Sequence, residues 1–184
     1  MDICFSGEII SWLNEIIERV MSVFPRITML APYEAGIKIT LGKKVRPLGA
    51  GWYVWWPMIH NVVSMEIQSQ VVDLRTQSVR TIDNRDVVVS GAIQYSINNI
   101  ERATCNVQSL DGSLETLALG IILEFVGSVT LDECQDLGRL KSEILRGTRE
   151  AARGWGVKIE RIYITDLGIA RNIRLLSNAQ GRIA

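Results

Sequence analysis

The sequence predicts an α+β fold, in which strands come first, two helical segments follow and one strand closes the domain. Three observations support this prediction. Between residues 37 and 97, short runs alternate apolar and polar residues, which is the period of a half-buried strand. Residues 113–129 and 130–153 carry apolar residues at steps of three and four, which is the period of a helix. An alternating run over residues 157–167 predicts the closing strand.

The strand-rich stretch is punctuated by glycine, proline and asparagine, which favour turns. The predicted strands cover residues 37–41, 62–67, 71–75, 79–82 and 87–97, with turns at 42–44 and 83–84 and a loop at 47–51. In the first of these, Ile37, Ile39 and Leu41 are expected to share the buried face. In the longest, every second residue from Val87 to Ile97 is expected on one face.

The second half is predicted to be helical as far as two glycines. Thr130 and Glu133 form a capping-box pattern, which predicts that a helix begins there and runs to about residue 153. Glycines at positions 154 and 156 are expected to end that helix before the closing strand. From residue 170 onwards the chain shows the start of another helical stripe.

An amphipathic helix is predicted over residues 7–24 and ended by Pro25. Charges interrupt its apolar run, so it is not an ordinary transmembrane helix, and it lacks the basic start and cleavage site of a signal peptide. Its apolar side either contacts a membrane interface or packs on protein. The residues expected at a membrane are Ile9, Trp12, Leu13, Ile16, Ile17, Val20 and Phe24. Cys4, just before this helix, is a free thiol or a possible S-acylation site.

Composition excludes several functions. The chain has 184 residues, enough to bury a core without disulfides or metals, and 20 basic residues balance 20 acidic ones. A net charge of zero argues against a nucleic-acid binder that uses a broad basic surface. One histidine and three scattered cysteines fit no zinc spacing. The sequence has no phosphate-binding loop, nucleophile elbow or dinucleotide-binding glycine pattern. We therefore predict no enzyme activity, no cofactor and no metal; His60 is expected to be structural or solvent-exposed, and Cys105 and Cys134 to be buried thiols on helices.

Seven pieces of sequence, in order and at family-like spacing, resemble the SPFH domain, also called band 7, of stomatins, prohibitins and flotillins. The resemblance covers residues from about 31 to 167. Its segments are 32–43 (PYEAGIKITLGK), 49–53 with 57–59 (GAGWY and PMI), 72–77 (VDLRTQ), 81–84 (TIDN), 92–97 (AIQYSI), 126–133 (VGSVTLDE) and 155–167 (WGVKIERIYITDL). The order and spacing of these segments are what make the resemblance specific.

The resemblance implies one SPFH domain over residues 31–168, with a strand-rich first sub-domain to about residue 80 and a mixed α/β second sub-domain. Residues 1–30 then form a membrane-proximal amphipathic helix and residues 169–184 a short helical tail. The resemblance also implies a non-enzymatic, membrane-associated scaffold on the cytoplasmic side. Its copies would form a homo-oligomeric ring or cage that organises a membrane microdomain or encloses partner membrane proteins such as a protease. Because the tail has room for about four helical turns, a flat ring is expected rather than a tall cage.

The order of charges along the chain supports a membrane-facing end. Residues 1–25 hold one basic and four acidic residues, a net charge of −3, whereas residues 26–56 hold five basic and one acidic residue, a net charge of +4. The basic stretch adjoins an aromatic cluster, and aromatic rings with nearby cations suit the headgroup level of a bilayer. The cluster residues expected at the membrane are Trp52, Tyr53, Trp55 and Trp56, and the cations expected to bind anionic lipid are Arg26, Lys43, Lys44 and Arg46.

An alternative explains the same apolar residues without a membrane. In it, the protein is a soluble oligomeric assembly protein, and the apolar helix and the tryptophan cluster are contacts within or between protomers. Trp55 and Trp56 are neighbours, so in a strand they point to opposite faces. At least one of them therefore meets lipid, a second layer or a partner.

Charged residues of both signs surround the later strands and the turn between them. They either form ion pairs between protomers, since the family assembles side by side, or belong to a solvated face where each pair is worth about 0–1 kcal/mol. The candidates for the oligomer interface are Asp73, Arg75, Asp83, Arg85 and Asp86.

Overall fold

A computed structural model describes residues 24–169, which form two compact units that divide between Gln68 and Ser69. The α+β prediction is confirmed for this part of the chain, because strands come first, helices follow and one strand closes the second unit. The predicted helix over residues 7–24, apart from Phe24, and the predicted tail over residues 169–184, apart from Ile169, lie outside the described residues, as does Cys4. Ile169 belongs to the closing strand and not to a helix.

The first unit, described from residue 24 to residue 68, consists of strands. They are β1 (Arg26–Leu30), β2 (Glu34–Thr40), β3 (Lys44–Leu48), β4 (Gly51–Trp55) and β5 (His60–Glu66). β1 pairs with β4, and β2 lies between β3 and β5, all antiparallel. The core centres on Leu30 and Ile37, both fully buried, and a Cβ at Gly36 would lie 3.1 Å from a Leu30 methyl group. The glycine at position 36 therefore lets the two sheets approach closely.

The second unit packs helices on one face of a three-stranded antiparallel sheet. Its elements are β6 (Gln70–Arg80), β7 (Asp86–Ile97), α1 (Ile100–Asn106), α2 (Leu110–Ser128), α3 (Leu131–Cys134), α4 (Leu137–Ala151) and β8 (Val157–Ile169). β7 is central, α2 packs along β6, and α4 packs along β8. Every second residue of β7 from Val87 to Ile97 is buried, as the alternation predicts, while the helices bury a stripe that includes Leu114 and Ile144.

Two predicted boundaries are wrong. The first sub-domain ends before residue 69 rather than at about residue 80, because β6 pairs with β7 along its length and so belongs to the second unit. The predicted single helix over residues 130–153 is interrupted. Thr130 and Glu133 do form the capping box of α3, but the carboxylate of Asp136 accepts hydrogen bonds from the next backbone N–H groups and starts α4 as a separate helix.

Several local features were not predicted or were predicted differently. β3 and β4 are strands where the sequence pattern indicated a turn at 42–44 and a loop at 47–51. α1 is a short helix capped by the Asn99 side chain, which accepts a hydrogen bond from the Arg102 N–H at 3.0 Å. β1 occupies residues that the sequence pattern assigned to the segment before the domain. Cys134 is buried, which raises the pKa of its thiol, but Cys105 is exposed, so the prediction of burial is wrong for Cys105. Cys105 lies near the end of α1, where the helix turns one side to solvent.

Candidate functional site

Two turns come together at one end of the first unit. The β2–β3 turn and the β4–β5 turn are joined by a hydrogen bond from the Leu41 N–H to the Ile59 carbonyl, 2.8 Å long. β1 also begins at this end, because Arg26 pairs with Trp55 at the last position of β4. We call this end the tip and define it as residues 24–26, 41–44 and 56–60. The chain that precedes residue 24 therefore enters the first unit at the tip.

The tip exposes large apolar side chains. Leu41 is 71% exposed and Met58 is 72% exposed, and Phe24, Trp56 and Ile59 are also exposed. Leu41 was expected on the buried face of a strand, and that prediction is wrong. It occupies the β2–β3 turn instead, where Leu41 and Gly42 both have positive φ, as the central residues of a type I′ hairpin turn do. Clustered exposed apolar residues of this kind mark surfaces that bind membranes or proteins.

The first unit is polarised in charge as well. The tip carries three exposed cations, Arg26, Lys43 and Lys44, and no acidic residue is among its described residues. The carboxylates of Glu34 and Glu66 lie at the opposite ends of β2 and β5, where these two residues pair with each other in register. A cationic apolar surface thus stands at one end of the unit and two acidic residues at the other.

The tryptophan cluster is divided between the two faces of β4. Trp52 is 74% exposed, and it shares a face with Ile27, Met29 and Val54, because Met29 pairs with Trp52 and Ile27 pairs with Val54. All four side chains of this outer β1–β4 face are exposed.

The other members of the cluster lie differently. Tyr53 and Trp55 are half-buried on the opposite face of β4, and the Trp55 indole N–H donates a hydrogen bond to the Thr28 hydroxyl at 2.7 Å. Trp55, the last residue of β4, is half-buried, whereas Trp56 lies in the β4–β5 turn and is exposed. Of the predicted aromatic contacts, Trp52 and Trp56 therefore offer an open surface, whereas Tyr53 and Trp55 are partly covered by the unit itself.

Arg46 lies in β3, two residues beyond Lys44, and is therefore outside the tip. It pairs in register with Lys38 across β2 and β3, and the Lys38 ammonium donates to the Val54 carbonyl at 3.4 Å. His60 contributes to the fold of the tip, because its Nδ1 accepts a hydrogen bond from the Trp56 N–H at 3.3 Å and so closes the β4–β5 turn. This contact agrees with the structural role expected for His60.

Most of the five charged residues predicted at an oligomer interface have partners within the chain. Arg75 forms an ion pair with Glu115 at 2.9 Å, and Asp86 pairs with Arg80 at 2.9 Å. Asp83 accepts hydrogen bonds from the Thr81 hydroxyl and the Leu131 N–H, and these bonds lower the pKa of its carboxyl. Asp73 and Arg85 are exposed on the second unit.

Two further observations bound the chemistry of residues 24–169. Within this range, no helix is both long enough and apolar enough to cross a bilayer. Nor do the His, Cys, Asp and Glu side chains of this range come together in groups that could ligate a metal ion.

Comparison with known proteins assigns the family. The model of the SPFH domain / Band 7 family matches residues 29–179, which is most of the chain. The chain belongs to the SPFH/band 7 family. This membership confirms the resemblance that the sequence segments carry, and at the level of the family it favours a membrane-associated scaffold.

Several relatives support the assignment to the SPFH/band 7 family. The chain is 23% identical to stomatin of Mus musculus over 95% of this chain and 62% of that protein. It is 24% identical to a stomatin homolog of Pyrococcus horikoshii over 77% of this chain and 53% of that protein. It is also 32% identical to an uncharacterized protein of Methanothermobacter thermautotrophicus over 83% of this chain and 49% of that protein. The chain therefore spans about half to two thirds of the length of these relatives.

Proposed function

We propose that the protein is a non-enzymatic, peripheral membrane scaffold. Its tip and the amphipathic helix predicted before it bind a bilayer, and its copies assemble side by side into a ring or cage. Such an assembly would organise a membrane microdomain or enclose partner membrane proteins such as a protease. The observation that carries the proposal is the convergence, at one end of the first unit, of exposed apolar turns, three cations and the entry point of the predicted helix.

The exposed area at the tip is large enough to matter for binding. Full burial of a leucine or methionine side chain is worth about 1.5–3 kcal/mol. With about seven tenths of each side chain exposed, Leu41 and Met58 each offer about 1–2 kcal/mol on transfer to lipid. Each cation near an anionic surface adds about 1 kcal/mol, so Arg26, Lys43 and Lys44 together add about 3 kcal/mol.

These contributions favour an assembly over a single bound copy. Their sum, about 5–7 kcal/mol, is similar to the several kcal/mol that association costs in lost translational and rotational freedom. A single tip would therefore bind weakly. Copies joined in a ring lose this translational and rotational freedom only once, because each further tip binds at a high effective concentration. Interprotomer ion pairs that involve the exposed Asp73 and Arg85 remain part of this proposal.

The outer β1–β4 face supports a second candidate, the soluble assembly protein. Ile27, Met29, Trp52 and Val54 form an uncharged apolar surface on two paired strands, which suits a contact with another protein. In this candidate the apolar surfaces of the first unit are covered by neighbouring copies and not by lipid. The two candidates differ in what happens when lipid is supplied without detergent.

Vesicle flotation of the full chain tests the proposal. The test variant is Leu41→Asn with Met58→Gln, which removes about 2–4 kcal/mol of apolar transfer and is expected to weaken vesicle binding about 30-fold or more. Asn tolerates the left-handed backbone at position 41, so the turn is preserved. The matched control is Val71→Asn with Ile82→Gln, which changes two similarly exposed apolar residues of the second unit and leaves vesicle binding unchanged.

The cations are tested separately by lipid composition. Lys43→Ser with Lys44→Ser is expected to weaken binding to phosphatidylserine-containing vesicles by about 10-fold or more and to leave binding to purely zwitterionic vesicles nearly unchanged. The proposal is wrong if the wild-type chain stays in the soluble fraction with every vesicle. A soluble oligomer that dissociates in the Leu41 and Met58 variant, without any vesicle binding by the wild type, would establish the second candidate.

A further inference from the structure

The second unit has an open groove between two of its helices. α2 ends beside the β6–β7 turn, where the Ile82 N–H donates to the Val129 carbonyl. α4 ends at the opposite end of the sheet, where the Arg149 guanidinium donates to the carbonyl of Ile159, which pairs with Tyr95 far from that turn. The two helices therefore run antiparallel. The groove has a volume of about 610 Å³ and is lined by the C-terminal halves of both helices. The last turn of a helix carries partial negative charge from its free carbonyls, and Ser128 and Ala151, the last residues of α2 and α4, line the groove.

The floor of the groove is apolar. Ile121 and Phe125 line it from α2, and Gly147 and Ala151 line it from α4. A Cβ at Gly147 would lie 3.0 Å from the Ile121 Cγ2 atom, so the two helices approach closely at this point. The absence of a side chain at position 147 keeps the floor open above Ile121.

The rim of the groove is acidic. Glu124, Glu143 and Glu150 line it together with one cation, Arg146, which gives a net charge of −2. The Arg146 guanidinium lies 2.6 Å from the Glu143 carboxylate and 3.6 Å from the Glu150 carboxylate, so a single cation is shared between two anions. Both carboxylates raise the pKa of Arg146. An occupant of this groove would combine apolar side chains with positive charge.

The chain itself holds a segment of that chemistry. Residues 170–184 contain three arginines and no acidic residue, a net charge of +3, whereas residues 1–23 contain one basic and four acidic residues, a net charge of −3. The cations of the C-terminal segment are Arg171, Arg174 and Arg182, and its large apolar residues are Ile173, Leu175, Leu176 and Ile183. Only the C-terminal one of these two segments has the charge that complements the groove.

The C-terminal segment can also reach the groove. β8 ends at Ile169, which pairs with Val87 at the start of β7, so the chain leaves the sheet at the end where α2 also ends. Ser128, at the last position of α2, lines the groove. Residues 170–184 can span up to about 50 Å when extended and about 22 Å when helical.

We infer that residues 170–184 dock into the groove between α2 and α4 of the same chain. Ile173 and Leu176 lie against Ile121 and Phe125, and the arginines face the glutamates of the rim. The segment then covers the apolar floor of the groove. This inference does not rest on the proposed membrane function, because the groove and the tip belong to different units.

Photo-cross-linking of the full chain tests the inference. A photoreactive p-benzoyl-phenylalanine replaces Leu176, and mass spectrometry maps its cross-links in a mixture of isotopically light and heavy chains. Cross-links to residues 121–128 and 143–151 within one chain are expected. Reversal of the three arginines to glutamate is expected to lower their yield about 10-fold, since three exposed ion pairs are lost and three repulsive ones are formed.

A charge-reversal rescue distinguishes direct contact between the arginines and the groove from a general loss of structure. Glu124→Arg with Glu150→Arg, combined with the three reversed arginines, is expected to restore the yield to within about threefold of the original. Reversal of Glu101 and Asp132, two acidic residues of α1 and α3 outside the groove, serves as the matched control and restores nothing. Cross-links that map elsewhere, that join only light to heavy chains, or that persist unchanged after reversal would each overturn the inference. Vesicle flotation of the same variants is expected to be unchanged.

Discussion

Gly156 lies directly against the backbone of α1. Its φ is +75°, and a Cβ at this position would lie 2.3 Å from the Asn99 carbonyl oxygen and 3.0 Å from the Ala103 nitrogen. The Gly156 carbonyl accepts hydrogen bonds from the Asn98 and Asn99 N–H groups, both 2.9 Å long. Gly154 has a similar backbone, with φ of +93°, but a Cβ there would have no described atom within 4 Å. Alanine at each position separates the cost of backbone conformation from the cost of the contact.

The two substitutions differ in predicted magnitude. An alanine with left-handed backbone costs about 1–2 kcal/mol, and the smaller entropy of its unfolded chain offsets about 0.4–1 kcal/mol, so Gly154→Ala is expected to cost about 1 kcal/mol. Gly156→Ala has the same conformational cost and must also displace the first turn of α1, because its Cβ would lie 2.3 Å from the Asn99 carbonyl oxygen. The two hydrogen bonds at risk are worth about 0.5–1.5 kcal/mol each. The total for Gly156→Ala is therefore about 2–4 kcal/mol.

Urea denaturation followed by circular dichroism measures the difference. Hydrogen exchange read out over residues 69–169 shows that the loss belongs to the second unit. Gly156→Ala is expected to lower the free energy of unfolding by about 2 kcal/mol more than Gly154→Ala does. Equal losses, within about 0.5 kcal/mol, would refute the argument that the close approach of α1 sets the requirement for glycine at position 156.

Two further predictions concern hydrogen-bonded groups of the second unit. Tyr95→Phe removes a buried hydroxyl that donates to the Asp111 carboxylate and lies within hydrogen-bonding distance of the Gln70 side-chain amide, and is expected to cost about 1–2 kcal/mol in urea denaturation. The matched change at the exposed Tyr163, whose hydroxyl donates to Gln94, is expected to cost less than about 0.5 kcal/mol, and equal costs would contradict the argument. Acid is expected to lower the urea midpoint. The pKa values of Asp83 and Glu133 are lowered by hydrogen bonds, so their contribution is present above the ordinary pKa values of 3.8 and 4.5 and is lost as pH falls through the folded values. Asp83→Asn with Glu133→Gln should flatten this dependence, and an unchanged pH profile would count against it.

The fold was predictable where the local sequence pattern and the tertiary packing favour the same secondary structure. Residues 87–97 alternate because β7 is central and faces helices on one side only, so burial repeats every second residue. The capping box at Thr130 was predictable because its two hydrogen bonds join residues three apart in sequence.

Two of the features that were missed depend on pairing between strands, and one depends on a local side-chain hydrogen bond. The apolar side chains of Ile27 and Met29 in β1 are exposed, so this strand does not have the buried apolar face that an alternating pattern indicates. Its strand conformation comes from pairing with β4. The break between α3 and α4 at residues 135–136 depends on whether the Asp136 side chain accepts hydrogen bonds from nearby backbone N–H groups. The boundary between the units was misplaced because β6 belongs to the second unit through its pairing with β7.

The candidate site was predictable in composition but not in geometry. The sequence showed that cations and tryptophans cluster between residues 26 and 56. It did not show that Trp55 turns inward to bond Thr28 while Trp52 faces outward, because that depends on the register of β1 against β4. Nor did it show that Leu41 and Met58 meet at one end, because two turns separated by about fifteen residues are brought together only by the pairing of β2 with β5.

Leu41 combines a positive φ with an exposed apolar side chain, and both are unfavourable for a leucine. Its substitution is therefore the most discriminating test of whether the tip binds a membrane. A branched apolar side chain with positive φ is strained, and 71% of it is exposed to water. Asparagine would relieve the strain and the exposure together, so the first unit gains nothing from leucine at this position. Contact with a bilayer, in contrast, recovers the exposed area. Leu41→Asn alone is therefore expected to raise the free energy of unfolding by about 0.5–1 kcal/mol while it weakens vesicle binding about 5-fold or more. Opposite signs in the two measurements are what a membrane-binding residue requires, and a loss of stability together with unchanged vesicle binding would show that Leu41 serves the fold alone.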